Sequence, residues 1–225
     1  NLQSWANLKA LNNSIGANST YIMLATKKYG KLMREAVEEV DGLSKFNEIE
    51  EYKKLKIFFA KFNYDINLKC ISPENNIYQF YVIKDGLSIE IDTISSGERE
   101  IINFIFGLFI EQLDDGIIII DEPELHLHPK WQIKYAEILI FISKELGVKI
   151  LLNSHSPYLI RAMEVYRKTY NYEDNIKFYT LTDCTEGKSK KIVDATNNLN
   201  QIFDKLIEPY EILRKVDERY SDDEW

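Results

Sequence analysis

Long apolar runs, a leader segment and paired cysteines are all missing from this sequence. Among its 225 residues no apolar run, including the four isoleucines at 117–120, approaches the roughly 20 residues that a membrane-spanning helix needs. No charged segment followed by an apolar one opens the chain, so secretion is not indicated. Cys70 and Cys184 stand far apart in the sequence, and this spacing indicates two reduced thiols rather than a disulfide framework. We expect a cytoplasmic protein without membrane contact.

Basic residues are also scarce relative to acidic ones. The chain has 28 Lys plus Arg against 36 Asp plus Glu, a net charge of −8. This negative net charge argues against a protein that binds nucleic acid through its overall electrostatic field, because phosphate binding needs a local excess of cations. Any DNA contact would therefore have to be local.

Hydrophobic spacing divides the chain near residue 70. Residues 1–70 show the spacing of amphipathic helices, and residues 71–225 begin with a loop at 72–76. From residue 77 the period changes to two, and apolar runs flank Lys84, Asp85 and Gly86, which predicts a β-hairpin. We expect a helical region at 1–70 and a second region at 71–225.

Strands and helices alternate after the hairpin, which predicts an α/β fold with a parallel sheet. The helix after Gly97 is apolar nearly all round, so we expect it to be buried. A strand at 176–181 and a last helix should follow, and Pro209 should kink or end that helix. The other expected elements are helix 97–113, strand 116–121, helix 129–146, strand 148–153 and a helix from Pro157.

The strand at 117–120 is followed directly by Asp121 and Glu122. Four isoleucines predict a strand buried on both faces, and ligands bind at the carboxyl ends of parallel strands. In nucleoside triphosphatases an acidic residue at this place holds Mg²⁺, usually through water, and a neighbour polarises the attacking water.

Two further segments carry candidate functional residues. Ser95, Ser96, Gly97 and Glu98 precede the buried helix, where a serine cap, a glycine and the helix dipole suit a phosphate; capping alone is the simpler explanation. His155 stands on the turn between strand 148–153 and the helix that begins at Pro157. It is expected beside Asp121, within reach of a γ-phosphate.

The order of these three segments resembles the second half of an ATP-binding-cassette (ABC) ATPase. More narrowly, residues 121–129 and 153–157 are similar to the RecF and OLD group, which includes ATPase subunits of anti-phage systems such as Septu and PARIS. The resemblance is strong over residues 77–165. It implies an ABC-like parallel sheet flanked by helices, with an N-terminal helical insertion and an antiparallel hairpin.

The resemblance also implies roles for single residues. Asp121 matches the acidic Walker B residue that holds Mg²⁺, Glu122 the catalytic glutamate and His155 the switch histidine. Positions 124–128 match a segment at the dimer interface. Ser95, Ser96, Gly97 and Glu98 match the signature motif that contacts ATP held by a second subunit, although Ser96 replaces the usual glycine. The implied activity is ATP hydrolysis in a homodimer that regulates a nuclease or another effector protein.

One expected motif is missing from the sequence. No Gly-x₄-Gly-Lys-Ser/Thr phosphate loop occurs, and the look-alike at Gly187, Lys188 and Ser189 has Thr182 where the first glycine should stand. We expect a hairpin turn at 187–189. Because the first residue is Asn1, we also expect that the chain begins inside a longer ATPase.

Two other hypotheses remain open at this stage. His126 and His128 alternate in sequence and could bind a transition metal, which would suit a metal-dependent hydrolase. A non-hydrolysing scaffold that only assembles a complex is the second. The retained residues Asp121, Glu122 and His155 argue against the scaffold, because a scaffold does not need them.

Overall fold

A computed structural model describes residues 20–37, 42–112, 116–183 and 189–222. Cys184 and the Gly187–Lys188 look-alike lie outside the described residues. The helices are α1 (Thr20–Val37), α2 (Gly42–Glu48), α3 (Glu50–Lys61), α4 (Ser96–Glu111), α5 (Pro129–Leu146), α6 (Pro157–Thr169) and α7 (Asn200–Asp222). The strands are β1 (Asp65–Ser72), β2 (Ile77–Lys84), β3 (Leu87–Glu90), β4 (Ile117–Asp121), β5 (Lys149–Asn153), β6 (Tyr179–Asp183) and β7 (Lys190–Asp194).

An antiparallel sheet in the order β1-β2-β3 follows the first three helices. The predicted hairpin is confirmed, and Asp85 and Gly86 join its strands with φ of 49° and 77°, as two-residue hairpin turns require. The prediction of helix through residue 70 is wrong for 65–70, because β1 occupies these positions and pairs with β2. The boundary near residue 70 therefore falls inside β1 and stays a proposal.

A parallel pair of strands, β4 and β5, carries the predicted acidic segment. The alternating strands and helices are confirmed, and the α/β fold with them. The expectation that β4 is buried on both faces is wrong. Ile118 and Ile120 are buried, whereas Ile117, Ile119 and Leu151 are 38%, 39% and 63% exposed. Within the described residues this sheet has two strands, and helices cover only one of its faces.

One cluster of buried side chains joins helices to the β1-β2-β3 sheet and to the β4-β5 pair. It has members from α1, α3, β1, β2, α4, β4 and α5. Helix α4 is its centre, and Ile101, Ile102, Ile105 and Phe106 have no exposed surface. The predicted burial of this helix is confirmed. Since α4 begins where the hairpin ends, the core fixes the direction in which residues 95–98 leave the sheet.

The C-terminal part consists of a second hairpin and a long helix. Strand β6 begins at Tyr179 rather than at residue 176 and pairs antiparallel with β7. Helix α7 continues for 23 residues with Pro209 inside it, so Pro209 does not end the helix, and the alternative of a kink stays a prediction. Along the described chain, no helix is long and apolar enough to cross a membrane.

Candidate functional site

The carboxyl ends of β4 and β5 bring two polar side chains together. The parallel register places Asp121 opposite Asn153, and the Asn153 side-chain amide donates to Asp121 Oδ1 at 2.7 Å. Asp121 is exposed at this edge. The hydrogen bond fixes one carboxylate oxygen and leaves the other open to a ligand.

Glu122 has an unusual backbone. Its φ of 43° and ψ of 53° are left-handed, a conformation that residues other than glycine adopt at a cost of about 1 kcal/mol or more. The Glu122 N–H donates to Asn153 O at 2.9 Å, so β5 holds the bend. Strain of this kind clusters at functional sites.

The Glu122 side chain faces the predicted switch histidine. Glu122 Oε1 lies 3.5 Å from His155 Nε2, and the two side chains are 37% and 74% exposed. The structure thus brings Asp121, Glu122 and His155 to one edge, as the order of elements predicts. Their chemical roles stay predictions.

A short polar network holds the turn that carries His155. Ser156 caps α6 by accepting from Leu159 N at 3.2 Å, and Pro157 begins the helix as expected. The His155 N–H donates to Glu124 Oε1 at 2.5 Å. The segment after β4 therefore contacts the backbone of the turn after β5 directly.

The sequence analysis missed Gln132. This side chain is 7% exposed and joins Ser156 to the segment after β4, because it accepts from Ser156 Oγ and donates to Leu127 O at 2.7 Å. A signal existed, since Gln132 shares the helical spacing of the buried residues Tyr135, Ala136 and Leu139. A glutamine on an apolar face needs hydrogen-bond partners.

Residues 95–98 form a separate group. Ser95 is the N-cap of α4: its hydroxyl accepts from Glu98 N at 3.4 Å and donates to Glu98 Oε2 at 3.1 Å. Lys84 forms an ion pair with Glu98, which is 7% exposed. Ser95 therefore caps the helix, and its hydroxyl and Lys84 together hold the Glu98 carboxylate. Ser96 is exposed.

Gly97 meets another side chain rather than open space. A Cβ atom built on Gly97 would lie 2.9 Å from Cδ1 of Trp131, so glycine is needed for the packing of α4 against α5. Among the described residues, no hydrogen bond or ion pair joins 95–98 to Asp121, Glu122 or His155. Within one chain, the signature-like segment and the acidic edge are therefore not joined by a direct polar contact.

The donor set at the strand ends suits a hard cation. Carboxylate and amide oxygens are ligands that Mg²⁺ accepts, and it commonly uses one or two carboxylates together with substrate phosphates. In the described part of the chain, no group of three or more His, Cys, Asp or Glu could hold a metal by itself. His128 Nδ1 accepts from Lys130 N at 3.3 Å and caps α5, so the structure lends no support to the metal-dependent hydrolase.

A family model described as "AAA domain, putative AbiEii toxin, Type IV TA system" matches residues 3–161. The chain belongs to this AAA domain family. It is 25% identical over 205 residues to the "Retron Vc95 probable ATPase" of Vibrio cholerae serotype O1 biovar El Tor, covering 84% of this chain and 39% of that protein. It is 31% identical over 116 residues to "Septu protein PtuA" of Bacillus thuringiensis, covering 45% and 28%.

These matches confirm the resemblance to Septu-type ATPases. The AAA domain chain spans less than half the length of these curated relatives. Among solved structures, the chain is similar to one described under ATP-driven dimerization and DNA stimulated activation of SMC ATPases, with 14% identity and a TM-score of 0.49, over 69% of this chain and 90% of that one.

Proposed function

We propose that the chain contributes the hydrolytic edge of an ATPase whose nucleotide state controls an effector protein. The observation that carries the proposal is the 3.5 Å approach of Glu122 Oε1 to His155 Nε2, beside Asp121 at the ends of two parallel strands. Membership of an AAA domain family and relatives named as probable ATPases support ATP as the substrate.

Each residue then has one task. Asp121 would hold Mg²⁺ through water with the oxygen that Asn153 leaves open, and the bound ion would supply positive charge beside the phosphates. Glu122 accepts a hydrogen bond from the attacking water and orients it. His155 donates a hydrogen bond to the γ-phosphate, and its contact with Glu122 keeps both side chains on the same phosphoryl group.

The segment from Ser95 to Glu98 has its task in a dimer. The Glu98 carboxylate is satisfied within the chain by Lys84 and by the Ser95 hydroxyl, while Ser96 stays exposed. We propose that this end of α4 contacts ATP held by a second copy, so that closure of the dimer depends on nucleotide. A nuclease or another effector protein would sense that closure. The proposal leaves room for a local contact with DNA.

The test uses the full-length protein with ATP and Mg²⁺. Glu122→Gln should bind ATP with affinity close to that of the wild type but should hydrolyse it at least about a hundredfold more slowly, because it loses the carboxylate and keeps the shape. Phosphate release and calorimetry measure the two effects. Glu145→Gln on the exposed end of α5 is the matched control.

Two outcomes would contradict the proposal. Unchanged hydrolysis in Glu122→Gln would remove the assignment of the catalytic glutamate. If the full-length protein binds no ATP in the presence of Mg²⁺, the scaffold becomes the better explanation. The exposed apolar residues of α7, such as Tyr210 and Leu213 at 72% and 63%, would suit that role.

A further inference from the structure

The first turn of α5 contacts all three segments that carry candidate functional residues. The Trp131 ring fills the space beside Gly97, where a Cβ atom would lie 2.9 Å from it, whereas Gln132 contacts the segment after β4 and the turn after β5. We propose that Trp131 and Gln132 are positioning residues that couple the three segments. The inference rests on the proposed function, and it adds two residues that touch neither the substrate nor the reacting atoms.

Gln132 connects its neighbours through both ends of its amide. The nitrogen donates to Leu127 O at 2.7 Å and, at 3.5 Å, to Glu124 O, and the oxygen accepts from Ser156 Oγ. Gln132 and Ser156 are 7% and 6% exposed. Because water does not reach these groups, a lost hydrogen bond is not replaced by solvent.

These contacts form a closed ring of hydrogen bonds beside the proposed catalytic pair, Glu122 and His155. Glu124 binds the His155 N–H, Ser156 follows His155 in the chain, and Gln132 returns from Ser156 to the carbonyl of Glu124. The ring contains Glu124, two positions after Glu122, and Ser156, directly after His155. A shift of either turn therefore changes the distance between Glu122 and His155.

Trp131 extends this coupling to the start of α4. Since a Cβ on Gly97 would lie 2.9 Å from the indole, the indole occupies the space that any larger side chain at position 97 would need. Glu98, the next residue, is held by Ser95 and Lys84, so the segment moves as a unit. Movement of the α5 start thus reaches both the Glu122–His155 pair and the segment proposed to contact the second copy.

Gln132→Met in the full-length protein tests the first half of the inference, because it keeps the length of the side chain and removes its hydrogen bonds. We expect kcat to fall by about tenfold or more with little change in KM, since small displacements of catalytic groups lower the rate strongly. The matched control is Gln201→Met, at an exposed position of α7. An unchanged kcat in protein that stays folded would overturn the proposal.

A double-mutant cycle separates positioning from a general loss of stability. Ser156→Ala removes the hydroxyl partner of Gln132, so its effect on kcat should be much smaller in the Gln132→Met background than alone. Additive effects on kcat would mean that the two residues do not act through one another, and the ring would be rejected.

Trp131→Leu tests the link to α4. At saturating protein concentration, the rate of ATP hydrolysis per molecule should stay close to that of the wild type. The protein concentration at which half of this rate is reached should rise, because the segment that contacts the second copy is less well positioned. An unchanged concentration dependence would overturn this half.

Failure of the inference and failure of the proposed function are distinguishable. If the wild type and Glu122→Gln hydrolyse ATP equally slowly, the proposed function fails. The inference alone fails if the wild type is active, Glu122→Gln is not, and Gln132→Met has the wild-type kcat.

Discussion

The side-chain amide of Asn153 lies 2.7 Å from Asp121 Oδ1, so β5 fixes the position of Asp121 at the end of β4. A carboxylate in place of that amide would face Asp121 at hydrogen-bonding distance. Two carboxylates this close cannot both ionise without a large penalty.

Asn153→Asp should therefore be destabilised more at pH 8 than at pH 5, because protonation of one carboxyl group relieves the repulsion at low pH. Thermal unfolding at the two pH values measures the difference from the wild type. Asn197→Asp, at an exposed position, is the control. Equal destabilisation at both pH values would show that the two side chains do not interact.

Ser95 and Ser96 provide a matched pair for the N-cap of α4. Ser95→Ala should lower stability by about 1 kcal/mol because the N-cap hydroxyl bonds Glu98 N, which corresponds to about 2–4 °C in melting temperature for a chain of this size. Ser96→Ala should change it little, since Ser96 lies inside the helix and is exposed. Calorimetry that found the reverse order would reject Ser95 as the cap.

Gly97→Ala sets helix propensity against packing. Propensity alone would stabilise α4 by up to about 1 kcal/mol, whereas the contact at 2.9 Å with Trp131 should destabilise it by about 1–3 kcal/mol. We expect the net effect to be destabilising. In a Trp131→Leu background the same change should cost less, and chemical denaturation of the four proteins measures the difference.

Tyr52 links α3 to the edge of β1. Its hydroxyl accepts from the buried Leu68 N–H at 3.1 Å, and burial raises the pKa of Tyr52 to about 12. Tyr52→Phe should cost about 1–3 kcal/mol at neutral pH, because the Leu68 N–H is left without a partner. Tyr179→Phe, at an exposed position, should cost little.

The raised pKa of Tyr52 also predicts an alkaline effect. A folded-state pKa above the unfolded one stabilises the fold below pH 10, and this contribution is lost as the pH rises from about 10 to about 12. The denaturation free energy of Tyr52→Phe should therefore fall less over this interval than that of the wild type. Parallel curves for the two proteins would contradict the assignment.

Local patterns were sufficient to predict much of this fold. The change to period two identified the β2–β3 hairpin, and Ser156 followed by Pro157 located the start of α6 because capping and proline geometry act over a few residues. The order of strands placed Asp121 and His155 on one edge, since parallel strands share an end.

Contacts between distant elements could not be predicted in the same way. The isoleucines of β4 do not show which face stays exposed, because that depends on which elements cover the sheet. Gly97 suits a phosphate contact in sequence, yet its neighbour is Trp131, 34 positions later. Gln132 bonds Leu127, five positions earlier, but its link to Ser156 depends on two turns that meet only in the fold.

The left-handed backbone of Glu122 sets stability and activity in opposition at one residue. Glycine adopts this conformation without strain, so Glu122→Gly should melt at a higher temperature while it lacks the carboxylate. Under the proposed function, screening for thermal robustness alone would thus select against the Glu122 carboxylate, and a gain in melting temperature at this position would accompany a loss of ATP hydrolysis.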